Sequence, residues 1–145
     1  LREDLRQTAE RCGVADRVRF IDAVPNHRLE EVFREHHVFA MNIIQPGISM
    51  TVMEAMAFGF PIVINQPRWE QEPEISGACA YVVDGSVAGF REAFLHLLRE
   101  PFDIERLGAM SRRRIEDYSG ENMEDRECAM VTELINNADA GQNFS

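Results

Sequence analysis

Apolar positions follow two patterns along the chain: short unbroken runs, and stripes spaced three or four residues apart. Val18-Arg-Phe-Ile21, Val38 to Ile44, Pro61 to Ile64, and Cys79 to Val83 are runs too short for a comfortable helix. They are rich in branched and aromatic residues, so each predicts a strand. Elsewhere the spacing is helical. Leu1, Leu5, Ala9 and Cys12 line one face of an amphipathic helix that Gly13 stops. Leu29, Val32 and Phe33 mark a helix from about His27 to Glu35, with Asn26 placed to cap it after Pro25. Further helices are predicted over Val87–Arg99, Asp103–Asp117 and Gly120–Ile135, separated by Pro101 and by Tyr118-Ser119-Gly120. Residues 136–145 are small and polar and are expected to be a flexible tail.

The centre of this pattern is Gln45-Pro-Gly-Ile-Ser-Met-Thr-Val-Met-Glu-Ala-Met-Ala-Phe-Gly59, between the second and third predicted strands. Gly47 lets backbone approach a ligand, Ser49 is a good N-cap, and Gly59 with Pro61 closes the helix and opens the next strand. A helix start of this kind directs free N–H groups and a positive dipole end at whatever lies above the preceding strand, which suits a phosphate. Glu54 is the one carboxylate among the apolar residues of that helix. Either it lies on an exposed stripe with Thr51, three residues earlier, or it accepts hydrogen bonds from ligand hydroxyls at the top of the sheet.

Strands alternating with helices predict an α/β fold: a Rossmann-like parallel sheet with flanking helices and ligands outside the carboxyl ends of the strands. At 145 residues the chain has the size of one domain, here placed at residues 1–135. The chain starts at Leu1 inside a helical pattern, so an upstream segment is expected to be missing. The stretch 65–77 has no clear period, and its Trp69, beside Arg68, is either a lid on the core or a side chain that packs over a ligand.

Charge narrows the function. The net charge is −10 and all 15 basic residues are arginines, which argues against nucleic acid or an anionic membrane surface as a partner and leaves no lysine for a Schiff base or a P-loop. Cys12, Cys79 and Cys128 are odd in number and widely spaced, as in a reduced cytoplasmic protein. His36-His37 lacks further ligands at metal-binding spacing, no apolar run is long enough to span a bilayer, and no G-x-G-x-x-G follows a strand.

Taken together, Asp16-Arg-Val-Arg-Phe20, Glu54-Ala-Met-Ala-Phe-Gly-Phe-Pro-Ile-Val63, Pro73-Glu-Ile75, Tyr81-Val-Val-Asp-Gly85, Leu107-Gly108 and Arg112-Arg-Arg114 resemble the donor-binding C-terminal domain of group 1 (family 4) retaining glycosyltransferases. The resemblance spans about residues 1–135 and implies the GT-B fold, in which two Rossmann-like domains hold a nucleotide-sugar and an acceptor. It implies that Glu54 binds the ribose hydroxyls, that Gly47, Ile48, Ser49 and Met50 meet the diphosphate and sugar, and that Ala23, Val24 and Pro25 lie near the nucleobase. No cofactor is implied beyond the nucleotide-sugar substrate. The partner implied is an N-terminal acceptor domain.

Two departures from the family pattern bear on activity. Pro46 stands eight positions before Glu54, where the family has a glutamate, and the first strand-helix segment with its basic diphosphate clamp is absent. The isolated chain is therefore expected not to transfer sugar, because stabilising the leaving diphosphate is a main catalytic contribution. Loss of the first two strands also leaves Val18–Ile21 to pair either with Val38–Ile44 or with a second copy, as a homodimer. Two other functions stay open: a non-catalytic binding or scaffolding module of the same fold, and an enzyme like the UDP-N-acetylglucosamine 2-epimerases, which Gln71-Glu-Pro-Glu-Ile-Ser-Gly-Ala78 faintly resembles.

Overall fold

The computed structural model describes residues 2–44, 49–65 and 79–142. It falls into two compact units, 1–32 and 33–145. The first holds α1 (Arg2–Arg11), 3-10 turns at Ala15–Arg17 and Asn26–Arg28, and most of α2 (Leu29–Phe33). The second holds β1 (Phe39–Met41), α3 (Met50–Phe58), β2 (Ile62–Asn65), β3 (Ala80–Val83), α4 (Val87–Arg99), α5 (Pro101–Glu116) and α6 (Gly120–Gln142).

β1, β2 and β3 form a parallel sheet in that order, with Phe39 opposite Ile62 and Ile62 opposite Ala80. β2 is the central strand, and Ile62, Val63 and Ile64 have no solvent exposure. Its alternation sorts the core into two layers. Ile62 and Ile64 pack with Val52, Ala55 and Met56 of α3 and with Phe60, while Val63 packs with Ala93 and Leu97 of α4 and Leu107 of α5. Phe33, Phe58 and Phe60 extend the first layer, with ring centroids 5.2–5.6 Å apart. Helices cover both faces of the parallel sheet, which is the α/β Rossmann-like architecture expected.

The strand expected at Val18–Ile21 is not formed. Val18 and Ile21 are 40% and 45% exposed, whereas a parallel strand is buried on both faces. The stretch is instead tied to α1. Arg2 donates to the Phe20 carbonyl at 3.0 Å and pairs with Asp22, and the Arg2 and Arg6 guanidinium groups lie 6.0 and 5.6 Å from the centre of the Phe20 ring. With no strand at Val18–Ile21, the described sheet is built from β1, β2 and β3 alone.

Other boundaries differ in smaller ways. The helix expected over 27–35 is a 3-10 turn followed by a short α2, and the strand expected over 38–44 is regular only from Phe39 to Met41. α5 begins at Pro101, two residues earlier than expected, because proline at the first helical position gives up an N–H that no helix start can satisfy internally. α6 continues past Ile135 to Gln142.

Candidate functional site

The carboxyl ends of all three strands meet a helix start or a polar turn. After β1, the described chain resumes at Ser49, which has extended backbone and whose Oγ accepts from the Thr51 N–H at 3.2 Å, capping α3. Apolar residues then fill α3 because it lies on the buried β2 strand, and Gly59 ends it with φ +88, a left-handed conformation that glycine adopts without a Cβ penalty. From the far side Arg112 of α5 donates to the Phe58 carbonyl at 2.8 Å and to the Ala57 carbonyl at 3.3 Å, satisfying acceptors that a helix end leaves open. α3 is thus fixed at both ends.

After β3, Asp84 and Ser86 build a second helix start. The Asp84 Oδ1 accepts from the Ser86 N–H at 2.9 Å and from its hydroxyl at 2.7 Å, while Ser86 Oγ accepts from the Gly89 N–H at 2.9 Å. The first turns of α3 and α4 therefore both rise from the carboxyl side of the parallel sheet, each bringing partly positive N–H groups there.

At the end of β2, between these two starts, Asn65 turns its amide onto Ile43. Its Oδ1 accepts from the Ile43 N–H at 2.5 Å and its Nδ2 donates to the Ile43 carbonyl at 2.8 Å. Gly85, with φ +82, lies alongside: a Cβ there would stand 3.4 Å from the Asn65 Cβ and 3.6 Å from the Asn42 Oδ1. Asn42, Asn65 and Gly85 thus gather at one edge. Sequence spacing gave no signal for the Asn65 contact, since its partner is 22 residues away and an asparagine closing a strand reads simply as a turn residue.

Glu54 sits one turn into α3 and is half-buried, with no hydrogen bond or ion pair of its carboxylate among the described residues. Met50, at the first helical position, is 67% exposed, and Ile44, the last described residue after β1, is 83% exposed, so two apolar side chains stand in solvent. Gly47 and Ile48 lie outside the described residues, as do Pro46, Arg68 and Trp69. Ala23, Val24 and Pro25 belong to the first unit, with Val24 partly buried and Pro25 leading into the 3-10 turn. A shallow cleft lined by Gly59, Gly108, Arg112 and Glu116 lies at the other end of α3 and includes none of these residues. No group of three or more histidine, cysteine or carboxylate side chains able to hold a metal occurs among the described residues.

A family model described as glycosyl transferases group 1 matches residues 1–100. The chain belongs to this family. It is 27% identical over 139 residues to a D-inositol 3-phosphate glycosyltransferase of Corynebacterium glutamicum, covering 95% of this chain and 32% of that one. It is also 27% identical over 122 residues to the protein of the same name from Rhodococcus opacus, covering 83% and 27%. Sucrose-phosphate synthase from Thermosynechococcus elongatus superposes with a TM-score of 0.76 at 17% identity, over 94% of this chain and 35% of that one, which is a likeness of fold. The chain spans a quarter to a third of the length of the relatives it matches. The family match favours a transferase over the epimerase-like alternative.

Proposed function

We propose that this chain is the nucleotide-sugar-binding part of a glycosyltransferase that moves a sugar from a nucleoside-diphosphate donor to an acceptor held by another part of a longer protein. The observation that carries this is the placement of two capped helix starts, at Ser49 and Ser86, on the carboxyl side of one parallel sheet in a chain of the group 1 family. That edge suits a diphosphate, because N–H groups and the positive ends of two helices meet its charge. Glu54 accepts hydrogen bonds from the ribose hydroxyls, an arrangement supported by its place one turn into α3 and by a carboxylate without a protein partner among the described residues. Ser49 and Met50, together with Gly47 and Ile48 as the family resemblance implies, are the residues assigned to contact the diphosphate and sugar. Three free cysteines fit a reducing compartment, hence the cytoplasm. No helix among the described residues is long and apolar enough to cross a membrane.

Calorimetric titration of the chain with UDP and GDP tests the site. Binding of one of them, weakened at least tenfold by Glu54→Ala, is expected; no binding of either overturns the donor-site assignment. Transfer is expected to need the rest of the protein, since the residues given do not carry the family's basic diphosphate clamp and Pro46 stands where the family pattern has a carboxylate. Incubation of the pure chain with labelled nucleotide-sugars and an inositol phosphate, the acceptor named in its relatives, should yield no glycoside. The non-catalytic alternative rests on the same two departures, and it gains if a longer form carrying the acceptor half also yields none while still binding nucleotide.

A further inference from the structure

We propose that the cleft at the carboxyl end of α3 is a second ligand site, for a small phosphomonoester that carries hydroxyl groups, such as a sugar phosphate. The cleft is lined by Gly59, Gly108, Ala109, Arg112, Arg113 and Glu116 and has a volume of about 470 Å³, within the ordinary range of small-molecule clefts. It is separate from the donor edge, because the Ser49 cap and Gly59 close opposite ends of α3, on the order of 15 Å apart. The site therefore stands independently of the donor-site assignment.

Two arginines give the cleft its chemistry. Arg112 is held by the helix end it covers, donating from Nε to the Ala57 carbonyl at 3.3 Å and from Nη2 to the Phe58 carbonyl at 2.8 Å. Those bonds use two of the five N–H donors of a guanidinium, and Nη1 has no hydrogen-bond partner among the described residues. They also occupy carbonyls that would otherwise repel an anion at a helix end. The guanidinium is thus oriented before a ligand arrives, which lowers the ordering cost of binding. Arg113 is exposed, lines the same cleft, and has neither ion pair nor hydrogen bond among the described residues. Arg114, the third of the run, turns instead to Asp117 and Tyr118. Gly59, Gly108 and Ala109 add no side chain longer than a methyl group, so the charged groups border an opening.

Phosphate is the matching anion, because guanidinium N–H groups meet its oxygens in planar pairs. With two arginines to one glutamate, the lining is locally positive in a chain of net charge −10. Glu116, whose carboxylate has no partner among the described residues, repels a bare anion and accepts from a hydroxyl. That combination favours a hydroxylated phosphate ester over inorganic phosphate.

The test titrates the chain with ribose 5-phosphate, inorganic phosphate and ribose while backbone amide resonances are followed by NMR, and repeats the series in Arg113→Ala and Glu116→Gln. Both side chains are exposed, and unchanged resonances away from the cleft verify that each variant keeps the fold. The expected result is saturable shifts confined to Gly59 and residues 108–116 with ribose 5-phosphate, a weaker response to inorganic phosphate, and none to ribose. Arg113→Ala should weaken the ester about tenfold or more, the loss of one charge-assisted contact. Glu116→Gln should weaken the ester without weakening inorganic phosphate. Absence of saturable binding, shifts centred instead on Ser49 and Ser86, or an affinity unchanged in Arg113→Ala overturns the site. Inorganic phosphate bound as tightly as the ester, in wild type and in Glu116→Gln alike, overturns the assignment of its ligand class.

Discussion

The hydroxyl of Ser111, on the fully buried face of α5, donates to the carbonyl of Cys79 at the entry to β3 across 2.6 Å. A helix that also packs Leu107 among α4 residues is thereby joined to the sheet by a polar contact inside an apolar core. The partner is a backbone group fixed by the strand, so the geometry is preset and the bond is short.

Ser111→Ala removes the donor without adding volume. A neutral hydrogen bond of this kind contributes about 1 kcal/mol net. The expected outcome is a lower urea midpoint equivalent to about that value, with an unchanged denaturant slope. Ser111→Val should cost more, roughly 1–3 kcal/mol, because it also crowds a site with no free space.

Gly108 lies one turn before Ser111 and permits α5 to approach the end of α3. An added Cβ would stand 2.3 Å from the Gly59 carbonyl oxygen, far inside contact distance, and that oxygen is backbone rather than a movable side-chain end. Two effects of Gly108→Ala oppose each other: helix propensity favours alanine by about 1 kcal/mol, while overpacking costs about 1–3 kcal/mol. An approach of 2.3 Å to a backbone oxygen places the steric cost in the upper part of that range, so the steric effect should win, with a net loss of roughly 1–2 kcal/mol. Chemical denaturation showing Gly108→Ala to be as stable as wild type would mean that α3 and α5 separate at little cost.

These two residues also show what the sequence could and could not make legible. β2 and β3, the Ser49 cap and the Gly59 stop follow from local rules, namely runs of branched residues, a hydroxyl before a helix and a glycine after it, and they appear where those rules put them. Val18–Ile21 met the same local criterion and is not a strand, because pairing is a tertiary property and the guanidinium of Arg2 holds its Phe20 carbonyl instead. Pro101 reads as a break and is a start, since proline is acceptable at the first position of a helix. Asn65, Gly108 and Ser111 act across long sequence separations, and nothing in their neighbours announces it.

A pH effect is expected where α4 meets α5. Asp103 Oδ2 lies 2.6 Å from His96 Nε2, and its Oδ1 accepts from Arg106 Nε at 2.8 Å. The hydrogen bond with His96, followed by that with Arg106, holds the Asp103 carboxyl below the usual carboxylate range. A carboxyl lowered in the folded state adds stability above its unfolded pKa, and that stability fades as pH falls through the folded value. Urea midpoints of wild type and Asp103→Asn measured from pH 7 to pH 3 should therefore converge toward the acid end. A constant gap between the two curves would assign the difference to lost packing instead.

Glu54 offers a separation of stability from binding. The residue is half-buried, and its carboxylate has no hydrogen bond or ion pair among the described residues, so the fold draws no polar contact from its charge. Glu54→Gln keeps the shape and removes the charge without breaking a contact to another described residue. The expected outcome is a thermal midpoint equal to or above that of wild type, together with at least a tenfold weaker affinity for UDP or GDP, because an amide oxygen is a poorer acceptor for ribose hydroxyls than a charged carboxylate. Residues held at a functional edge commonly trade stability for binding in this direction. If Glu54→Gln instead lowers the midpoint and leaves affinity intact, Glu54 serves the fold of α3, and the ribose contact must come from another residue of the edge.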